Sequence, residues 1–452
     1  MKTNSFLFAF LSAWLLLSNG TAYAQNIWYA APTAAGNGNG MSWANASSLA
    51  IVLDSLAHAG DEVWVKQGRH KPVFDYSRKP APQDPRTKQF TLPDGVRLYG
   101  GFAGNETLRT QRNWRTNITT LSGDLNGNDG ANFANNAENV YHILLSVDSH
   151  LLTTLDGFSV SGGNADGSNT GYQVGNTWVA GENGAGIFAL TSAMTIENCL
   201  FKSNKTIGSG GALSLEGSGL TMKNCEFSNN KAGYGGAISS NNSSNSTINR
   251  CVFQGNVSNY EGGALENYIN SSPTVTNCLF INNTSLAGGA IENYSSAPTI
   301  TNCTFTANNS QSGTGVYSQV SSAPTITNCI FWGNSTASAC ILDRNSVSTI
   351  SYTTIQGTIA YAGVGNIRTD PMFLNIADLD GADNQFMTTD DGLQLGVCSY
   401  AIDGGTNSVL HTTDIVGTAI PVLATVDMGA YENTTNAALP AATITASSVG
   451  NI

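Results

Sequence analysis

Hydrophobic and polar positions alternate along the middle of the chain with a long second period. Cys199, Cys225, Cys251, Cys278, Cys303 and Cys329 recur at steps of 26, 26, 27, 25 and 26 residues. Two residues after each comes Phe201, Phe227, Phe253, Phe280, Phe305 or Phe331, and three further on Asn204, Asn230, Asn256, Asn283, Asn308 or Asn334. A Thr-Ile or Thr-Val pair precedes most of the cysteines, and Gly-Gly-Ala-aliphatic runs stand at 210–213, 235–238, 262–265 and 288–291. Apolar residues two apart share one face of a strand, so the unit predicts short strands and not helix. Two or three strands per ~26 residues, separated by Gly and Asn, describe one coil of a β-solenoid.

Successive coils then lie roughly 4.8 Å apart, and like residues stack in columns: Cys on Cys, Phe on Phe, Asn on Asn. One coil cannot bury its own apolar residues, but a stack shares a continuous interior. The Asn column is expected at a turn, in left-handed geometry, with its amide bonded to the next coil. The series extends to 350–355, with Thr353 in the Cys column, and back to 155–160, with Phe158 there. Residues 164–183 form an inserted loop carrying Tyr172 and Trp178.

At the front, Leu49, Val52, Leu53, Leu56 and Ala57 share a helical face within 47–59, which predicts a helix covering the open end of the stack. Strands are expected at 62–65, 96–99 and 141–147, with the proline-rich 66–95 mostly irregular. The resulting division is a signal peptide (1–24), a cap with first coils (25–140), β-helix repeats (141–365), a closing module (366–432) and a linker (433–452). The fold class is all-β, a parallel β-helix, right-handed because parallel crossovers overwhelmingly are.

Residues 6–17 are apolar after Lys2 and precede Ala22-Tyr23-Ala24, the pattern of a cleaved export signal. That stretch is shorter than the ~20 residues a spanning helix needs. Export to the cell exterior or the outer-membrane surface is therefore expected, without a transmembrane segment and as a monomer. The 452 residues include 19 basic and 31 acidic ones, a net charge of −12, with only 11% charged. An acidic chain without a basic patch argues against nucleic acid and anionic lipid as partners.

The Gly-Gly-Ala-Ile and Phe-x-x-Asn units resemble the polymorphic outer-membrane proteins and other right-handed parallel β-helix repeat proteins. The flanks resemble secreted surface proteins of Bacteroidota-like bacteria. The segments that carry this likeness are Gly38 to Ala46, Leu98-Tyr99-Gly100-Gly101-Phe102, Leu121-Ser122-Gly123-Asp124, Thr369-Asp370-Pro371-Met372-Phe373, Ala401-Ile402-Asp403-Gly404-Gly405 and Val426 to Glu432. The resemblance spans residues 26–432 and implies a pectin-lyase-like β-helix at or outside the cell surface, with no set reaction.

Chemistry is sparse. Aligned coils put Glu266 and Glu292 in one column with Ser214, Ser239 and Tyr317, and put Tyr268 on Tyr294. Paired carboxyls are what a glycosidase needs, and neighbouring acids raise one another's pKa. The Tyr pair offers a platform for a sugar ring. The plainer reading of the column is an exposed polar ladder. Lys231 and Arg250 are isolated and expected in solvent. Asp378, Asp380 and Asp383, with Asp390 and Asp391, space hard oxygen ligands as calcium prefers; residues 124–130 are a weaker version. Stacked cysteines stand too far apart for disulfides, whereas Cys340 and Cys398 are left over and free to pair. The expected function is non-catalytic glycan binding or adhesion through Tyr268, Tyr294, Trp178 and Tyr172, to polysaccharide or a host surface. Alternatives are a polysaccharide lyase or hydrolase using Glu266 and Glu292, and a structural stalk.

Overall fold

Like residues do stack in columns, and the columns build three long parallel sheets. The computed structural model describes residues 25–434 except 151, 169–170, 175–176 and 409–410. The expected signal segment and most of the expected linker lie outside these residues. The first sheet has 12 strands and contains the Thr-Ile segments such as Thr195–Glu197. The second has 10 and contains the Phe segments such as Leu200–Lys202. The third has 9 and contains the segments after Gly-Ala, such as Leu213–Glu216. A four-stranded sheet and a two-stranded hairpin complete the set.

Register follows the repeat: Phe201 pairs with Phe227, Phe227 with Phe253, Phe253 with Phe280 and Phe280 with Phe305. The six rings are wholly buried and stack in nearly parallel planes, with successive centroids 5.0, 4.9, 4.9, 4.6 and 4.3 Å apart. Such contacts add about 0.5–1.5 kcal/mol per pair beyond burial. The six column cysteines are buried free thiols. Cys340 and Cys398 do not pair: one is buried, the other exposed, and both are free.

The buried Asn column forms a continuous amide ladder. Asn204 Nδ2 donates to Asn230 Oδ1 (3.1 Å), Asn230 to Asn256 (3.0 Å), and so on to Asn334. Left-handed backbone falls one residue earlier than expected, at Ser203, Asn229, Asn282 and Ala307. The ladder asparagines are kept for the side-chain bond. A second left-handed column precedes the cysteines, at Asn198, Asn224, Arg250, Asn277, Asn302 and Asn328.

The capping helix is shorter than predicted. An α-turn, Leu49–Ile51, runs into a π-turn, Val52–Leu56, and buries Leu49, Val52 and Leu53 on the first coil. Ser48 caps it, accepting from Ile51 N. The inserted loop is a β-hairpin of Gly171–Val174 and Thr177–Ala180.

Closure at the far end is a short task done by residues 357–367. Tyr361 packs on the core, Tyr352 N donates to Val364 O, and Ile355 N donates to Ile367 O. The segment expected to close the solenoid instead folds back along its flank. Phe386, Leu393, Ile415 and Tyr431 cover the outward side of the second sheet at Val252, Leu279 and Ile281. Met428 and Leu395 cover Ile330. The second left-handed column is its fastening: Arg250 Nε donates to Ile415 O, Asn277 Nδ2 to Thr413 O, Asn302 Nδ2 to Asp427 O and Asn328 Nδ2 to Thr406 O. Arg250 is thus a half-buried tether and not a solvated side chain. Among the described residues, no helix is long and apolar enough to cross a membrane.

Candidate functional site

The outward side of the third sheet carries a column where two glutamates meet. Ser239 pairs with Glu266, Glu266 with Glu292 and Glu292 with Tyr317. Adjacent parallel strands place the two carboxyls about 4.8 Å apart at their backbone. They are not an exposed ladder: Glu266 is 6% exposed and Glu292 0%. The cause is the segment before each strand. Glu261, the last residue of Val257–Glu261, lies against the column, where Gln319 bridges it to Glu292. A Cβ on Gly262 would lie 2.3 Å from Leu265 O, and one on Gly263 2.0 Å from Gly289 O. Only glycine fits at this turn between the segment and the strand.

Burial sets the electrostatics. The Glu266 carboxyl is pushed up to about 7, by burial first, against the Ser239 hydroxyl donating to it at 2.5 Å, with the charges of Glu261 and Glu216 adding. Glu292 lies well above the usual carboxylate range, by burial and then by Glu266 and Glu261. Gln319 Nε2 donates to both Glu261 and Glu292, each at 3.1 Å, while Glu292 Oε2 has no partner.

Two tyrosine pairs rim this cluster. Tyr268 and Tyr294 have centroids 4.9 Å apart at 35°, and Tyr234 and Tyr260 5.0 Å apart at 30°. Tyr234, Tyr260 and Tyr268 are exposed. Because each pair is stacked on itself, it presents ring edges and hydroxyls more than the open platform expected. Tyr234 and Tyr260 belong to the four-stranded sheet and were missed in the sequence. Their signal was an aromatic one or two residues before the Gly-Gly run in two adjacent repeats.

The other expected ligand residues separate. Tyr172 is 6% exposed, stacked on Tyr76 at 4.3 Å with its hydroxyl on Gln89, and packed on Leu145, Val179 and Phe188. It holds the hairpin against the third sheet and offers no face to a ligand. Trp178, on the opposite strand, is exposed.

The acidic run near 380 is organised by internal bonds. Thr388 donates to Asp390 and Asp391, the Tyr431 hydroxyl donates to buried Asp391 at 2.6 Å, and Asp383 N donates to Asp390. Asp378, Asp380, Asp383, Asp390 and Asp391 do not gather three oxygens within 4.8 Å. Among the described residues, Asp124, Asp129 and Glu138 do. There Asp124 already accepts from the backbone N–H groups of Asn128 and Asp129 and from Arg69.

A family model described as a right handed beta helix region matches residues 185–355. Among solved structures, the chain is similar to a pectate lyase (14% identity, TM-score 0.43, 91% of this chain and 97% of that one). It is also similar to a rhamnogalacturonan lyase (12%, 0.40, 82% and 96%) and a pectin methylesterase with a hexasaccharide (11%, 0.31, 75% and 92%). No curated protein matches the chain. The chain is an all-β, right-handed parallel β-helix.

Proposed function

We propose that this is an exported surface protein that binds glycan on the outward side of its third sheet. The observation that carries the reading is the double tyrosine rim, Tyr234/Tyr260 and Tyr268/Tyr294, exposed beside a carboxyl cluster. Tyrosine edges and hydroxyls meet both the C–H and the O–H groups of a sugar. Glu266 and Glu292 are buried, out of reach of a polymer, which favours binding over turnover. Trp178 extends the contact from the hairpin.

One observation favours the enzyme reading. A carboxyl lifted to about 7 stays protonated in about half of the molecules at neutral pH, as an acid catalyst of glycoside cleavage requires. A glycan array on the mature chain, followed by a uronate-degradation assay with and without calcium, separates the two. Binding without turnover, lost in a Tyr260→Ala, Tyr268→Ala double variant, supports the proposal. Turnover abolished by Glu266→Gln or Glu292→Gln overturns it in favour of a hydrolase or lyase.

A further inference from the structure

The amide ladder ends with its donors still open. In each of its five steps one side-chain oxygen accepts from both the backbone N–H and the Nδ2 of the preceding rung, at 3.0 or 3.1 Å. Asn334 is the last rung and carries the same two donors. One Nδ2 hydrogen goes to Phe305 O at 2.9 Å. Among the described residues, nothing accepts from its backbone N–H or from the second Nδ2 hydrogen. Phe331 pairs with Ile355, so Thr358 stands in the Asn place of the next turn, and its shorter side chain supplies no oxygen to the pair.

A cavity of about 330 Å³ lies between this rung and the closing segment, lined by Asn334 and Thr358 among others. Asn334 is 6% exposed, where the five rungs before it are 0%. The open pair is therefore on the cavity side and within reach of an occupant.

The donors say what that occupant must bring. Two converging N–H groups take one carbonyl-type oxygen, which has two lone pairs, as the ladder itself repeats five times. No charged side chain lines the cavity. A carboxylate there would be desolvated without a counter-charge, which is costly, so the fitting acceptor is a neutral amide carbonyl. Ala339, Ile359 and Tyr361 give an apolar side that suits a methyl group, while Ser335, Thr336 and Thr358 add hydroxyls. The volume stands near the ~300 Å³ at which small-ligand sites begin. We infer that this cavity binds the acetamido group of an N-acetylated sugar, its carbonyl oxygen on Asn334 N and Nδ2 and its methyl against Ala339 and Ile359. The site is separate from the tyrosine rim and does not depend on glycan binding there.

The mature chain is titrated by calorimetry with N,N′-diacetylchitobiose, with cellobiose as the same disaccharide frame without acetamido groups, and with N-acetyl-lysine methylamide as an acetylated peptide unit. Only the first is expected to saturate. Thr358→Asn offers the ladder a seventh oxygen, so it should raise the melting temperature and weaken the sugar at least tenfold. Ile359→Asp, at an exposed position, should leave the melting temperature unchanged and weaken binding at least fivefold. The Tyr260→Ala, Tyr268→Ala double variant should bind as before. No saturable heat with diacetylchitobiose overturns the inference, as does an equal response to cellobiose or a response to the lysine compound alone. Affinity unchanged in both Thr358→Asn and Ile359→Asp also overturns it. Binding abolished by the tyrosine variant places the sugar on the third sheet and overturns this site alone.

Discussion

The second and third sheets come from the same repeats, yet their outward faces have opposite fates. On the second sheet the residue between Cys and Phe points out, and from Val252 through Leu279 to Ile330 it is mostly apolar and fully covered by the module. One and two coils before Val252 the same position holds Glu226 and Leu200, and there the cover stops at a cleft between Trp114 and Phe386. On the third sheet the outward column is Ser214, Ser239, Glu266, Glu292 and Tyr317, and its cover is the preceding segment of its own coils. An apolar outer column recruits a distant part of the chain, whereas a polar one is shielded locally. That difference gives one flank a tethered module and the other an open aromatic rim.

The sharpest test uses neighbours on one strand, Leu279–Ile281. Phe280→Ala removes an interior ring and should cost about 3–5 kcal/mol, unfolding the coils as a unit. Leu279→Ala, one residue away but outward, should cost about 2–5 kcal/mol and release the module first. Limited proteolysis should then cut within 366–434 while the repeats stay protected. Equal protection of both segments in Leu279→Ala would show the module held by something other than this face.

Acidity separates the two flanks next. Glu266 on the third sheet and Asp427 in the module are both lifted to about 7, by burial first, from ordinary values of 4.5 and 3.8. Each folded carboxyl holds a proton that the unfolded chain releases. Stability is thus full below about pH 4 and is lost as pH rises through 7, by on the order of 3 kcal/mol per group. Melting curves from pH 4 to 8 should show this decline. Glu266→Gln and Asp427→Asn should each remove a share of it, the second only where module unfolding is monitored. A flat profile in the unaltered chain would contradict both assignments.

A smaller effect is expected at the tether. Asn302 Nδ2 donates to Asp427 O and Gly429 O, at 2.9 and 3.2 Å. Asn302→Ala should cost about 1–3 kcal/mol and loosen the module, whereas Asn308→Ala should act on the coils through the amide ladder. Hydrogen exchange in the two segments distinguishes the cases. Smallest of all, Tyr260→Ala should weaken glycan binding a few-fold with the melting temperature nearly unchanged, because its ring is half-exposed; an unaltered array profile would remove Tyr260 from the rim.

The interior was legible because its signal is periodic: Cys, Phe and Asn recur in register, and each column stacks on copies of itself. The burial of Glu266 and Glu292 was not, because a column assignment says which residues align but not whether another segment lies over them. The Gly-Gly run carried part of that information, since it marks where the chain passes too close to its neighbours to hold a side chain. Placing the module needed two signs together. Apolar Val252, Leu279 and Ile330 between Cys and Phe announce a missing partner, and the Asn-Cys dipeptides at 277, 302 and 328 supply donors for it. The fastening itself joins side chains to backbone carbonyls, which carry no residue code. Tyr172 was misplaced for a related reason: inside an insertion no repeat says which aromatic faces inward.

The short closure at 357–367 has a further consequence. The last strands, Ile341–Arg344 and Thr349–Ser351, would otherwise offer a bare edge with amides ready to accept a foreign chain. The opposite mouth is already stoppered by the turn at 49–56. Loss of this short plug would therefore yield tail-to-tail twins and not filaments, so light scattering of a chain lacking it should stop at double mass.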